Sequence, residues 1–138
     1  MKISLYATLA ALALATPSFA QDVAVGEKEF GKCKACHMIV ADDGTEIVKG
    51  GKVGPNLYGV VGRHVGSVEG FKYKDSIKSV GEGGMVWDEA ELAAYMTDPA
   101  AWLKEKTGDA AAKSGMTHKQ KKNQPDIAAY LASLKPAE

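Results

Sequence analysis

The stretch Cys33-Lys34-Ala35-Cys36-His37 decides how the rest of this 138-residue sequence is interpreted. Cysteines three positions apart project from one turn of helix, where two thiols can add to two vinyl groups along one porphyrin edge. The histidine that follows directly can place its imidazole beneath the porphyrin iron. The motif therefore predicts one covalently attached haem c, with thioether bonds to Cys33 and Cys36 and with His37 as an axial ligand.

Other uses of two cysteines are a structural disulfide, a redox-active pair and half of a zinc site. A zinc site lacks its second pair of ligands, because only His64 and His118 remain and neither lies at zinc-finger spacing. A thiol oxidoreductase would place the pair between a strand and a helix, and no strand pattern precedes Cys33. Alkylation of the two cysteines after mild reduction would separate a thiol-disulfide protein from a haem protein.

The composition indicates one ordinary globular domain and excludes some partners. Lysine and arginine number 17, against 17 aspartates and glutamates, so the chain has no net positive charge with which to bind nucleic acid. The sequence contains no phosphate-binding G-x-x-x-x-G-K-[ST] run, no H-E-x-x-H and no G-x-G-x-x-G. We therefore expect neither a nucleic-acid-binding protein nor an enzyme of these classes.

The first twenty residues have the pattern of a secretory signal peptide. Lys2 gives a positively charged start, an apolar stretch covers 3–15, and Pro17-Ser18-Phe19-Ala20 offers small residues before the cleavage point. The apolar stretch is shorter than the ~20 residues that cross a membrane. We predict cleavage of 1–20 and a mature, soluble, exported domain at 21–138.

Helical signals recur along the mature chain. Asp22 can cap a helix that runs into Cys33, and Asp88, with Glu91 three positions on, resembles a capping box. Pro99 ends that second helix and, after Asp98, can open a short third one. The last predicted helix carries apolar residues at helical spacing, namely Ile127, Tyr130, Leu131 and Leu134.

The segment 42–70 has no helical or strand periodicity, and seven glycines lie within 50–70. A loop of this length is uncommon in a compact domain unless something other than polypeptide supplies the surface on which it packs. No run alternates like a strand. The sequence therefore predicts three to five helices and long loops around a large apolar group.

The sixth iron ligand decides between an electron carrier and a catalyst. Met116 lies in a polar, aperiodic segment about eighty residues after His37, so it can reach the far side of a haem. Met38 adjoins His37, and Met85 and Met96 are better explained by packing. We favour Met116 as the ligand, with His64 and His118 as competitors.

Several segments resemble one known family in order and spacing. They are the haem motif, Gly54-Pro55-Asn56-Leu57-Tyr58-Gly59-Val60-Val61-Gly62-Arg63, Phe71-Lys72-Tyr73, Trp87, Tyr95-Met96-Thr97-Asp98-Pro99 and Gly115-Met116-Thr117. They are similar to class I cytochromes c, specifically the cytochrome c2 and c550 type of alphaproteobacteria, over essentially all of 22–134. The resemblance implies an all-α fold around one haem c, with the first and last helices crossing. This crossing would place Gly26 and Phe30 against Ile127, Tyr130 and Leu131.

The resemblance also assigns roles to individual residues. It implies His37 and Met116 as axial ligands, and it implies that the carbonyl of Pro55 accepts the other ring N–H of His37. It further implies contacts to the haem propionates from Arg63, Tyr73 and Trp87. Tyr95 would lie beside the methionine sulfur, and Ser114 would be a hydroxyl on the propionate side. His118 departs from the family, which usually has phenylalanine there, and the segment 104–113 is longer than in mitochondrial relatives.

The function that the resemblance implies is a periplasmic one-electron carrier, not an enzyme. It would act between a cytochrome bc1 complex and an oxidase, a photosynthetic reaction centre or a denitrification enzyme. A haem enzyme or gas-binding protein with a labile sixth ligand is the alternative. We expect a monomer that docks transiently on a membrane-bound acceptor through lysines at the haem edge, which are Lys32, Lys34, Lys113, Lys119, Lys121 and Lys122.

Overall fold

The computed structural model describes residues 21–134, and within this range the chain forms five α-helices and one small sheet. The predicted signal peptide at 1–20 lies outside the described residues. The helices are α1 (Val23–Glu29), α2 (Asp75–Glu82), α3 (Glu89–Thr97), α4 (Pro99–Thr107) and α5 (Gln124–Ser133). A 3₁₀ turn at Phe30–Lys32 extends α1 towards Cys33.

The predicted helix caps are present. The carboxylate of Asp22 accepts hydrogen bonds from the backbone N–H groups of Ala24 and Val25 at 2.9 and 3.1 Å. Asp98 caps α4 in the same way through Ala101 N at 3.0 Å, and Pro99 occupies the first turn. These bonds satisfy amide groups that the first turn of a helix leaves without partners.

The capping box predicted at α3 is only half formed. Asp88 accepts a hydrogen bond from Glu91 N at 2.7 Å, as expected. The Glu91 carboxylate does not complete the box, because its Oε2 accepts a bond from Trp102 Nε1 and its Oε1 one from Lys106 Nζ, each at 2.7 Å. Glu91 therefore ties α3 to α4.

The predicted helical fold with long loops is confirmed, and the structure adds one short hairpin that the sequence did not predict. Ile39–Val40 (β1) and Glu46–Val48 (β2) pair antiparallel, with Ile39 opposite Val48 and an irregularity in the register. Strands of two and three residues are too short to show alternation in the sequence. This hairpin interrupts the start of the long loop, and the remainder of the loop runs to 74 without a further helix or strand.

The predicted crossing of the first and last helices is confirmed. A Cβ added to Gly26 would lie 1.9 Å from the backbone oxygen of Asp126, so the two helix backbones touch at this point. The rings of Phe30 and Tyr130 pack with centroids 5.8 Å apart. The core around this crossing also includes Ile127 and Leu131, both almost fully buried. Within 21–134 no helix is both long and apolar enough to cross a membrane.

Candidate haem site

Helices α2, α3 and α5, the 3₁₀ turn after α1 and the long loop line a cavity of about 360 Å³, a volume in the range of cofactor sites. Its apolar lining comes from several separate segments of the described chain. The lining includes Phe30, Leu57, Val60, Ile77, Leu92, Met96, Ile127 and Leu131. The long loop therefore lines a cavity large enough for a non-polypeptide group, as we expected from its length.

The haem motif itself forms one helical turn at the edge of this cavity. The amide groups of Cys36 and His37 both donate to the carbonyl of Cys33, at 3.1 and 2.9 Å. This turn brings Cys33, Cys36 and His37 to the cavity wall together. The spacing of the motif therefore places two thiols and an imidazole at the wall of one cavity, as the sequence predicted.

The thiols have the properties of attachment points rather than of a reactive pair. Both are free, with Cys33 half-buried and Cys36 exposed. The pKa of Cys33 is raised to about 11, chiefly by burial and also by the nearby Glu29 and Cys36, while Lys32 acts in the opposite direction. Thiol oxidoreductases lower this pKa to stabilise the thiolate. The environment of Cys33 therefore argues against a thiol-disulfide protein.

His37 is held in the orientation that an axial ligand needs. Its ring is 9% exposed, and its Nδ1 lies 2.8 Å from the carbonyl oxygen of Pro55. A carbonyl only accepts, so Nδ1 carries the hydrogen and Nε2 keeps its lone pair. Burial lowers the pKa of His37, the hydrogen bond to Pro55 opposes this, and His118 adds a smaller lowering. A neutral imidazole with a free Nε2 is the form that binds a metal.

Met116 lines the same cavity and is half-buried. Its backbone N–H donates to Ser114 Oγ at 3.0 Å, and Ser114 Oγ lies 3.4 Å from the hydroxyl of Tyr95. Two hydroxyl groups thus connect the methionine segment to α3. Ser114 is not among the described residues that line the cavity, whereas Tyr95 is.

Of the other methionines and histidines that were considered as iron ligands, some line the cavity and others do not. Among the other described methionines, only Met96 lines the cavity, where it is a buried core residue of α3. His64 is exposed, and within 21–134 it is not part of the lining. His118 does line the cavity, at an exposed position, and its Nε2 bonds to Gln120 Oε1 at 2.9 Å.

Three lining residues have hydrogen-bond donors still available for an anion. Arg63 uses Nη1 and Nη2 on the carbonyls of Tyr58 and Asn56, at 3.1 and 3.0 Å, and has further N–H groups. The Tyr73 hydroxyl accepts a bond from Val68 N at 3.1 Å and can still donate its own hydrogen. The indole N–H of Trp87 has no acceptor among the described residues. Carboxylates, such as haem propionates, would satisfy these donors.

Sequence reasoning missed some residues of the site. Of the six lysines predicted at its edge, only Lys32 is in the lining, and Lys72 and Lys74 line it as well. Their position on either side of Tyr73 was the available signal. Two of the predicted lysines are ion-paired, Lys32 with Glu29 at 2.6 Å and Lys119 with Asp98 at 2.7 Å.

The donor set fits a haem c. The cavity offers two thiols, a neutral imidazole with a free Nε2, a thioether and anion-binding donors, within mainly apolar walls. The site is closely packed around the His37 ring, because a Cβ added to Gly54 would lie 2.3 Å from His37 Cε1. Only a residue without a side chain leaves room for the imidazole here.

Comparison with curated proteins gives highly similar sequences. The chain is 66% identical to cytochrome c-550 of Paracoccus versutus over 140 residues, covering 99% of this chain and 91% of that protein. It is 62% identical to cytochrome c2 of Rhodobacter capsulatus over 135 residues, covering 97% and 98%. No protein-family model matches the chain.

Solved structures agree with the sequence comparison. Ferric cytochrome c-550 from Paracoccus versutus has a TM-score of 0.81 at 65% identity, covering 83% of this chain and 98% of that one. Cytochrome c2 from Rhodobacter capsulatus has a TM-score of 0.80 at 61% identity, covering 81% and 97%. The similarity therefore extends over the fold as well as the motifs.

Proposed function

Because the chain belongs to the cytochrome c2 and c-550 group of class I cytochromes c, we propose that it is a diffusible periplasmic one-electron carrier. Members of this group carry one covalently attached haem c and transport electrons. Haem c supplies one iron that alternates between the ferric and ferrous states. The residues of this chain hold that iron and control access to it.

The observation that carries the proposal is that His37 and Met116 line one cavity with both thiols. A neutral His37 Nε2 and the Met116 sulfur would take both axial positions and leave none for substrate or gas. The bond from His37 Nδ1 to Pro55 fixes the ring without help from solvent. A site with both positions filled supports electron transfer rather than bond-making chemistry.

The remaining site residues are proposed to position the cofactor. Arg63, Tyr73 and Trp87 would donate to the propionates with the hydrogens that they do not use within the protein. Tyr95 would lie beside the methionine sulfur. The Ser114 hydroxyl already contacts Tyr95 and Met116 N, so its proposed propionate-side role would be exerted from the same hydrogen-bonded group.

The proposed partners are a cytochrome bc1 complex as donor and an oxidase, reaction centre or denitrification enzyme as acceptor. Lysines around the cavity rim would steer the carrier, as a monomer, to acidic surfaces on these complexes, and such contacts weaken with salt. The charges proposed for docking are Lys32, Lys34, Lys113, Lys119, Lys121 and Lys122. Periplasmic location rests on the predicted signal peptide.

Exposure to carbon monoxide separates the carrier from the alternative of a haem enzyme or gas-binding protein. We expect the reduced, haem-loaded protein to be oxidised by membranes that contain a terminal oxidase, and the oxidised protein to be reduced by a bc1 complex. We also expect it to show no prompt carbon monoxide complex at neutral pH. Rapid formation of that complex, without electron exchange, would instead identify an open sixth position.

A further inference from the structure

Gln120 is a polar residue in an unusual place. Its side chain lines the haem cavity and is only 2% exposed, so its amide must find hydrogen-bond partners inside the protein. It has them on three sides. Oε1 lies 2.9 Å from His118 Nε2, and Nε2 donates to the Lys122 carbonyl at 2.9 Å and to Glu29 Oε2 at 3.3 Å.

The partners fix the orientation of this amide. A carbonyl and a carboxylate only accept hydrogen bonds, so the NH₂ group of Gln120 must face Lys122 and Glu29. Its Oε1 then faces His118, which requires His118 Nε2 to carry a hydrogen and donate it. Every donor of the amide is used, so rotation of the group would break at least two bonds.

These bonds join the methionine segment to the cysteine side of the cavity. His118 lies two residues after Met116, whereas Glu29 ends α1, four residues before Cys33. Glu29 in turn accepts a bond from Lys32 Nζ at 2.6 Å. We call this series the rim clasp, which consists of His118, Gln120, Glu29 and Lys32.

The backbone of Gln120 is anchored separately. Its N–H donates to the Met96 carbonyl on α3 at 2.7 Å, and its carbonyl accepts from Gln124 Nε2 at 2.8 Å. Substitution of the side chain leaves both backbone bonds possible. Effects of the side chain can therefore be measured without detaching the segment from α3 and α5.

We infer that Gln120 is a positioning residue whose side chain, through the rim clasp, holds the methionine segment closed over the iron. The inference rests on the proposed ligation by Met116. Opening this segment must break either the Gln120–His118 bond or the Gln120–Glu29 bond, because Gln120 connects His118 on one side to Glu29 on the other. The side chain should therefore slow the exchange of Met116 for an external ligand.

The test is the rate at which imidazole binds the oxidised, haem-loaded protein, measured by stopped-flow absorption. Gln120→Leu removes the bonds but keeps an apolar fill in the buried site, and we expect binding about fivefold faster, the effect of one lost hydrogen bond. Glu29→Ala should also speed binding, because it removes the acceptor of the clasp on the cysteine side. Glu27→Ala, an exposed change on the same helix, is the matched control.

A merely structural role would act through global stability, so the free energy of unfolding in denaturant is measured on each variant. The clasp predicts faster imidazole binding in Gln120→Leu and Glu29→Ala that global stability does not explain, with Glu27→Ala like wild type. Rates within twofold of wild type for both clasp variants overturn the inference. A wild-type protein without an iron–sulfur absorption band overturns the proposed Met116 ligand itself, which is a distinct result.

Discussion

Gly54 determines where the imidazole of His37 can lie. The ring fills the space that a side chain on residue 54 would occupy, and the neighbouring Pro55 carbonyl accepts the ring hydrogen at 2.8 Å. Gly54 thus supplies the room, and Pro55 the acceptor, for the proposed axial ligand. Gly54 and Pro55 would consequently shape the proposed iron site without binding the metal.

Gly54→Ala should displace the His37 ring, because the new Cβ would lie 2.3 Å from Cε1. Overpacking of this kind costs about 2 kcal/mol in the free energy of unfolding. We also expect faster solvent exchange of the His37 Nδ1 proton by NMR, since the bond to Pro55 is disturbed. Gly31→Ala, where an added Cβ meets nothing within 4 Å, is the control. Unchanged exchange in Gly54→Ala would contradict this account of the site.

Residues with a fixed chemical meaning were predictable, and residues defined by their surroundings were not. Spacing alone indicated Cys33, Cys36 and His37, and the structure brings all three to one cavity with Met116. Gln120 carries no motif, and only its burial and three hydrogen-bond partners reveal it. Burial depends on distant segments, so a local pattern cannot report it.

At the scale of elements, the crossing of α1 and α5 closes one end of the cavity. Gly26 permits the backbones to meet, and Phe30 packs on Tyr130 one turn further along. Phe30, Ile127 and Leu131 from this crossing also line the cavity. The helix pair therefore supports the haem site directly.

Gly26→Ala should be among the most destabilising single changes in α1. The added Cβ would lie 1.9 Å from the Asp126 backbone oxygen, so the helices must separate. We expect a loss of about 3 kcal/mol in denaturant unfolding of the haem-loaded protein. Gly31→Ala serves again as the control, with a change of less than about 0.5 kcal/mol. Equal stability of the two variants would exclude a tight crossing.

Asp98 makes the stability of the start of α4 depend on pH. Its pKa is lowered chiefly by the hydrogen bond from Lys119 and also by the Ala101 N–H at the helix cap. Because the pKa of Asp98 is lowered in the folded state, its ionised carboxylate stabilises the fold. This stabilisation is complete above the ordinary aspartate pKa of about 4. The stabilisation is lost as the pH falls through the lowered value.

Asp98→Ala should therefore lower the melting temperature by a few degrees at pH 7, and the difference from wild type should shrink below about pH 4. Asp98→Ser retains a cap acceptor but not the ion pair with Lys119, so it should recover part of the loss. Calorimetry from pH 7 to pH 3 makes the comparison. A difference that stays constant over this range would show that the charge of Asp98 contributes nothing.

The sequence predicted the three helices that begin with a capping side chain, and it predicted α5, which lacks one, from the spacing of its apolar residues. It missed α2. Helix α2 follows Lys74, which makes no side-chain cap, and Gly81 interrupts its apolar pattern. Three of the helices found from sequence begin after Asp22, Asp88 or Asp98. The strands of two and three residues are too short to show a periodic pattern in the sequence.

At the scale of the whole molecule, zero net charge conceals an uneven surface. Segment 104–122 contains six lysines, whereas 82–98 contains five acidic residues and no basic one. Lys32, Lys72 and Lys74 line the cavity. The prediction that the long loop needs a non-polypeptide surface agrees with a cavity lined by Val53, Gly54, Pro55, Leu57, Val60 and Arg63.

Lys72→Glu should slow electron exchange with a bc1 complex about threefold at low ionic strength, with the difference disappearing at high salt. The reason is that Lys72 lines the cavity through which partners would approach. Lys49→Glu makes the same charge change beside a separate surface cleft and is the control. If the two variants slow exchange equally, only net charge matters and the rim has no special role.

The central claim is that His37 and Met116 together fill both axial positions of one haem. Its most direct test is the absorption spectrum of the oxidised protein near the red edge of the visible, where iron bonded to a thioether absorbs. We predict this band in the wild type at neutral pH, its loss in Met116→Ala, and its retention in Met85→Ala, a half-buried methionine outside the cavity lining. A wild-type protein without the band, or a Met116→Ala variant that retains it, would contradict the claim.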